Sequence, residues 1–166
     1  MSSNGSTPEG AGGQIAPGLD ELDQNILREL SRDGRMAVRM LAQRLNISRA
    51  NAYTRLERLK RSGVLTGFTA VIDPARAGLS TSAYVTLTVR QNSWRDLTQH
   101  LRRIPEVRHM ALVGGEFDVM LLVHTTDNEH LRRVVLEQLP SLPGVRGTRT
   151  HLIFDDIRND PADSGG

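Results

Sequence analysis

The chain has 166 residues, 38% of them hydrophobic and 24% charged, with a formal charge of +2 and no cysteine. That balance is ordinary for a globular protein in water, and the missing cysteines exclude disulfides, thiolate chemistry and thiolate-bound zinc. The longest aliphatic run, Val119 to Val123, falls far short of the ~20 residues of a membrane span, and no basic residue precedes Arg28, so a cytoplasmic protein with neither secretory signal nor membrane partner is expected.

Residues 1–18 are rich in Gly, Ser and Pro and nearly devoid of core-forming side chains, so they cannot repay the entropy of ordering. Residues 159–166 have the same character, and both ends are expected to be disordered tails. Asp20 is suited to cap a first helix, with Glu21 and Asp23 placing negative charge at its positive end. Leu22, Ile26, Leu27 and Leu30 recur at helical spacing, and Gly34 closes the run. A short helix over Val38–Leu45 turns inward Leu41, Ala42 and Leu45. After a tight turn at Asn46-Ile47, Ser48 caps a third helix, Arg49–Ser62, whose inner stripe is Ala52, Leu56 and Leu59 and whose stop is Gly63. Three short helices with a turn of this kind make a helix-turn-helix over residues 19–63. Its charge is uneven: between Arg28 and Arg61 ten basic side chains stand against three acidic ones. A cationic first half suits a polyanionic partner.

A linker follows over residues 64–81, read as a strand over Val64–Ile72 and a turn at Asp73-Pro74. From Ala83 the pattern becomes β-α-β-β-α-β. A strand alternates Tyr84, Thr86 and Thr88 with Val85, Leu87 and Val89. A helix capped by Ser93 buries Trp94, Leu97, Leu101 and Ile104 and stops at Pro105. Strands over Val107–Val113 and Phe117–His124 flank Gly114-Gly115. A helix capped by Asp127 turns one face of Leu131, Val134, Val135 and Leu139, and a last strand runs from Val145 to Phe154. The halves echo each other: Leu101-x-x-Ile104-Pro105-x-Val107 matches Leu139-x-x-Leu142-Pro143-x-Val145. Such a split βαβ pair over residues 82–158 gives one antiparallel sheet with both helices on one face. Tyr84, Leu112 and Met120 would be left wet on the other face, and a second copy of the chain is the cheapest cover.

Together these pieces resemble the leucine-responsive/AsnC (Lrp/AsnC) family of transcription regulators. The resemblance rests on Leu19-Asp20-x-x-Asp23-x-x-Ile26-Leu27, Gly34-Arg35, Leu41-Ala42, Ile47-Ser48, Arg55-Leu56-x-x-Leu59 and Gly63-Val64-Leu65. It continues through Phe68, Asp73-Pro74, Gly78, Gly115-Glu116-Phe117-Asp118 and Pro143-Gly144-Val145. It implies an α+β protein: a winged-type helix-turn-helix that binds double-stranded DNA, then a ferredoxin-like βαββαβ domain that senses a small amino acid or related metabolite. It also implies a homodimer assembling into a tetramer or octamer. Two positions depart from the family pattern. Ala37 stands where a Ser or Thr cap is common, and Glu116-Phe117 stands where Asp-Tyr is common, so the loss of a phenol oxygen leaves leucine or asparagine unsupported as effector.

At 100° per residue the buried stripe of the third helix aims Ala50, Thr54 and Arg61 outward, with Asn51 and Arg58 on one flank and Tyr53 on the other. A recognition helix enters the major groove by its N-terminal end. Base contacts are therefore assigned to Ala50, Asn51, Tyr53 and Thr54. Asn51 is suited to a bidentate adenine contact, and Ala50 and the Thr54 methyl to thymine methyls. Arg49, Arg58 and Arg61 are assigned to phosphates, with Ser48 as helix cap and further phosphate contact. Arg55, nearer the core edge, reads as a structural ion-pair residue. The alternative for all of these is a plain solvated face.

In the second domain the effector candidates are Gly114, Gly115, Glu116, Phe117 and Asp118. Glycines admit a ligand close to the backbone, free N–H groups suit a carboxylate, and Asp118 suits an ammonium. A plain hairpin turn is the competing reading. Thr148 and Thr150, on one face of the last strand, join this set through the family resemblance. The five histidines show no helical His-x-x-x-His pair, and no metal, cofactor or catalytic group is expected. Two other readings compete with an effector-controlled, sequence-specific regulator. One is a siroheme-decarboxylase-like enzyme of the same fold using His109, His124 or His151. The other is an architectural nucleoid protein of low sequence specificity.

Overall fold

The computed structural model describes residues 18–90 and 93–157, in two compact units that meet in the chain at Ala70-Val71. The expected tails, 1–18 and 159–166, lie outside the described residues apart from Gly18.

The first unit is three helices, α1 (Glu21–Arg32), α2 (Val38–Arg44) and α3 (Arg49–Arg61). At the start of α1, Asp20 Oδ1 accepts the Asp23 N–H at 2.8 Å and Asp23 Oδ2 accepts the Asp20 N–H at 3.3 Å, a reciprocal capping box. Ala37 provides no side-chain cap to the seven-residue α2, which is instead held by burial of Leu41 and Ala42 and by Arg44 on Glu29 at 2.8 Å. Asn46 takes the left-handed conformation, φ 52°, that folds the chain back between α2 and α3. The core is Ile26, Leu30, Leu41, Leu56 and Leu59. Full burial of side chains of this size stabilises by about 1.5–3 kcal/mol each, which outweighs the weak intrinsic helicity of such short segments.

The second unit is a four-stranded antiparallel sheet with helices on one face. Its elements are β1 (Thr81–Val89), α4 (Trp94–Leu101), β2 (Val107–Leu112), β3 (Val119–Thr125), α5 (Asn128–Arg133) and β4 (Val145–Ile153), with strand order β2-β3-β1-β4. Alternation along β1 sends Ala83, Val85 and Leu87 into a core with Leu97, Leu101, Val119, Leu121, Val123, Leu131, Val134 and Leu139. The opposite face carries Tyr84, Thr86 and Thr88. Asp127 caps α5 through the His130 N–H at 2.7 Å.

Four expectations need correction. No strand forms over Val64–Ile72: an extended segment needs a neighbour to receive its backbone N–H and C=O groups, and Phe68, Val71 and Ile72 are all exposed. Ser93 occupies the N-cap position of α4 but makes no side-chain cap bond. The helix after Asp127 is not uniform: beyond α5 it opens into a π-helical turn, Val134–Gln138, and ends in a turn at Leu139–Ser141. The Leu139 N–H reaches Val134 O, and the following Pro140 has no N–H to restore the tighter register. Finally, Leu112 pairs with Val119, which places it on the helix-bearing side at the end of an edge strand, 57% exposed, and not beside Tyr84 and Met120.

Candidate nucleic-acid interface and ligand cleft

The Ser48 hydroxyl accepts the Asn51 N–H at 3.1 Å and so fixes the first turn of α3. Ala52, Leu56 and Leu59 are buried in the three-helix core, and the remaining faces of α3 carry Arg49, Ala50, Asn51, Tyr53, Thr54, Arg58 and Arg61, all exposed. Tyr53 is 57% exposed. The Thr54 hydroxyl donates to Ala50 O at 2.9 Å, and the residue is exposed. Arg49 and Arg61 make no ion pair among the described residues, so their charge is available to an external anion.

A second layer lies beneath this face. Asp23 has no exposed side-chain surface, yet its carboxylate is fully paired: Arg55 Nη1 donates to Oδ1 at 2.9 Å and Arg58 Nη2 to Oδ2. Arg55 Nη1 also donates to Asp20 Oδ1 and Oδ2 at 2.7 and 2.6 Å. The Arg55 guanidinium and the Asp23 N–H hold the Asp20 carboxyl below its ordinary range, and Asp20, then Asp23, hold the Arg55 guanidinium above its own. Arg55 is thus the structural ion-pair residue expected. Arg58 has a structural partner as well: one amino group is committed to Asp23, although half of the side chain remains exposed. That pairing spans thirty-five residues of sequence, which local spacing does not reveal.

In the second unit a cleft of about 470 Å³ is lined by Thr86, Thr88, Glu116, Phe117, Gly147, Thr148 and Arg149. It brings together Glu116, Phe117 and Thr148 from the expected set and adds Arg149, a guanidinium with no ion pair among the described residues. Thr86 pairs with Arg149 across β1 and β4, and Thr88 with Gly147. This alternation was visible within β1, but which residue of β4 lay beside it depended on register. Gly114, Gly115, Asp118 and Thr150 lie outside the lining. Asp118 is a brace: Oδ2 accepts the Val89 N–H at 2.7 Å, its own N–H donates to Leu87 O, and its carbonyl accepts from the Val113 N–H. Thr150 pairs with Val85, on the helix side of the sheet, beside an apolar groove with Leu131, Leu136 and Leu152.

Three histidine side chains have hydrogen-bond partners. His124 Nδ1 lies 2.7 Å from Ser82 Oγ, His130 Nε2 lies 2.8 Å from Glu106 Oε1, and His100 Nδ1 bonds Asp96 O. His109 and His151 fall in one cross-strand row with Leu122 and Tyr84 between them. Among the described residues no group of three His, Asp or Glu side chains is placed to hold a metal ion, and no helix is long and apolar enough to cross a membrane.

Two family models match the chain: winged helix-turn-helix DNA-binding over residues 19–66 and the Lrp/AsnC ligand binding domain over residues 82–163. The proline dehydrogenase transcriptional activator of Rhizobium radiobacter is 35% identical over 143 residues, 84% of this chain and 92% of that protein. The leucine-responsive regulatory protein of Escherichia coli K12 is 31% identical, covering 84% of this chain and 87% of that one. Among solved structures, a transcriptional regulator of Neisseria meningitidis in complex with L-Met superposes with a TM-score of 0.79 at 26% identity, over 86% of this chain and 94% of that one. The leucine response regulatory protein of Mycobacterium tuberculosis does so with a TM-score of 0.76 at 31% identity, over 86% and 97%.

Proposed function

The chain belongs to the Lrp/AsnC family of transcriptional regulators, and from that premise we propose how its residues divide the work. The N-terminal half of α3 enters the major groove, with Ala50, Asn51, Tyr53 and Thr54 at base edges. Arg49, Arg61 and the capped helix N-terminus at Ser48 hold phosphates, and the exposed part of Arg58 adds to them. One observation carries this reading: α3 buries a strictly apolar stripe and turns a capped, cationic face to solvent on which Arg49 and Arg61 make no ion pair among the described residues.

The cleft on the sheet takes a small amino acid. Arg149 supplies a cation for the carboxylate, Glu116 an anion for the ammonium, and Phe117, Thr86, Thr88 and Thr148 line the rest. Gly114 and Gly115 shape the loop that carries Glu116, Asp118 braces it, and Thr150 is left to the helix side. The open sheet face, where Tyr84 is half-exposed, is covered by a second copy of the chain, the first step towards a tetramer or octamer. Effector and DNA then couple through the assembly by an expected ~1–3 kcal/mol. The relatives are transcription regulators, and neither the decarboxylase reading nor low-specificity DNA wrapping has an observation in its favour.

The test is a mobility shift of the duplex upstream of the protein's own gene, at modest salt, with and without each of the twenty amino acids, alongside thermal unfolding with the same panel. A retarded band, and at least one amino acid that raises the melting temperature and changes the band, support the reading. Absence of a band at low ionic strength sinks it.

A further inference from the structure

The base-reading asparagine does not stand alone on its helix. Arg55 Nε donates to Asn51 Oδ1 at 3.2 Å, while the Nη1 of the same guanidinium is gripped by both oxygens of Asp20 and by Oδ1 of the fully buried Asp23. The arginine is therefore anchored to α1 at one end and holds an amide on α3 at the other. A guanidinium nitrogen can only donate, so the amide atom facing it must be the oxygen. The orientation of Asn51 is fixed by that requirement: Oδ1 turns back towards Arg55, and both Nδ2 protons are left for an outside acceptor.

We propose that Arg55 is a positioning residue for DNA recognition, which presents Asn51 to the groove as a hydrogen-bond donor. The inference rests on α3 being the groove-reading helix. It revises the chemistry first assigned to Asn51. A bidentate adenine contact uses the amide oxygen and the amide nitrogen equally, whereas here the oxygen is shared with Arg55. With one lone pair of Oδ1 taken by Arg55, the two Nδ2 protons match base-edge acceptors: O6 or N7 of guanine, N7 of adenine, or O4 of thymine. The anchoring also explains why two carboxylates of α1 converge on one side chain of α3. They immobilise the guanidinium before DNA arrives, so the amide is not reordered on binding.

The test uses the full-length protein and a randomised duplex pool, selected for binding and sequenced, with Asn51→Ala, Arg55→Lys and the double variant beside wild type. Lysine keeps a cation for Asp20 and Asp23 but has a single nitrogen, with no counterpart of Arg55 Nε to hold Asn51, and thermal unfolding checks that each variant is folded. Expected are a preference lost by roughly tenfold at one operator position in N51A, loss at the same position in R55K, and no further loss in the double variant. Affinity for unrelated duplex stays unchanged in R55K. Full wild-type preference in R55K, or additive losses in the double variant, overturns the positioning role while leaving the groove reading intact. If N51A itself leaves every position unchanged, the groove reading of α3 fails and the positioning role falls with it.

Discussion

Asp118 Oδ2 accepts the backbone N–H of Val89 at 2.7 Å, so the acid of the loop between β2 and β3 clasps that loop to the end of the central strand. Removing the acceptor strands a part-buried N–H, which costs about 1–3 kcal/mol. Asp118→Ala should lose that much in urea unfolding, whereas Asp118→Asn, which keeps an acceptor oxygen, should stay within about 1 kcal/mol of wild type. Equal losses in the two variants would mean that the charge matters and not the hydrogen bond.

Asp20 gives the pH dependence of the first unit a definite sign. Its folded-state carboxyl is held below the ordinary value, chiefly by hydrogen bonds from Arg55 and then from the Asp23 N–H. A depressed carboxyl contributes stability that is complete above the unfolded value of about 3.9 and is lost as pH falls through the lower folded value. Asp20→Asn keeps an N-cap side chain but not the charge. Its stability deficit against wild type should be constant near neutral pH and shrink below about pH 4. Thermal midpoints of both proteins across that range decide, and a deficit that grows on acidification would contradict the assignment. Asp127, likewise lowered by the His130 N–H and then the Thr126 hydroxyl, titrates in both proteins and cancels in the comparison.

What the sequence made legible was local. The caps at Asp20, Ser48 and Asp127, the stripe Ala52-Leu56-Leu59 and the order of elements along the second unit all follow from side chains close to one another in the chain, where spacing alone carries the geometry. Hidden features depended on partners remote in the chain. Val64–Ile72 has strand-forming residues but no strand to pair with. Asp118 chose a backbone group twenty-nine residues away, and Arg58 a carboxylate thirty-five away. Arg149 joins the cleft only because the register of β1 and β4 sets it beside Thr86. The π-helical turn had a local sign, Pro140, but the choice of a wider turn over a kink depended on packing Val134, Val135 and Leu139 together.

Gly144 is required for two separable reasons. Its φ is +88°, which side chains disfavour, and a Cβ placed there would sit 2.6 Å from Ser93 Cβ. Gly144→Ala should therefore cost both left-handed strain, about 1–2 kcal/mol, and overpacking, about 1–3 kcal/mol. Because the Ser93 side chain makes no cap bond, Ser93→Gly can remove the obstacle without losing a cap. The double variant should recover the overpacking part in urea unfolding and retain the strain. No recovery at all would place the whole cost in the backbone.

Arg58 and Arg49 occupy the same helix but should behave differently on removal. Arg58 pairs with the buried Asp23, which keeps Arg55 as a second partner, and its own side chain is 52% exposed, so the pair is strongly screened. Arg58→Ala should cost about 1 kcal/mol of stability and reduce the salt dependence of DNA binding only in part. Arg49 and Arg61, with no ion pair among the described residues, should leave stability within about 0.5 kcal/mol when replaced by alanine. Each of those replacements should lower the slope of log affinity against log salt by about 0.9 per lost phosphate contact. Binding isotherms at several salt concentrations, read beside urea unfolding, separate the two kinds of arginine. If Arg58→Ala matched Arg49→Ala in slope and left stability untouched, the Asp23 pairing would carry no weight in the fold and Arg58 would be a phosphate ligand like its neighbours.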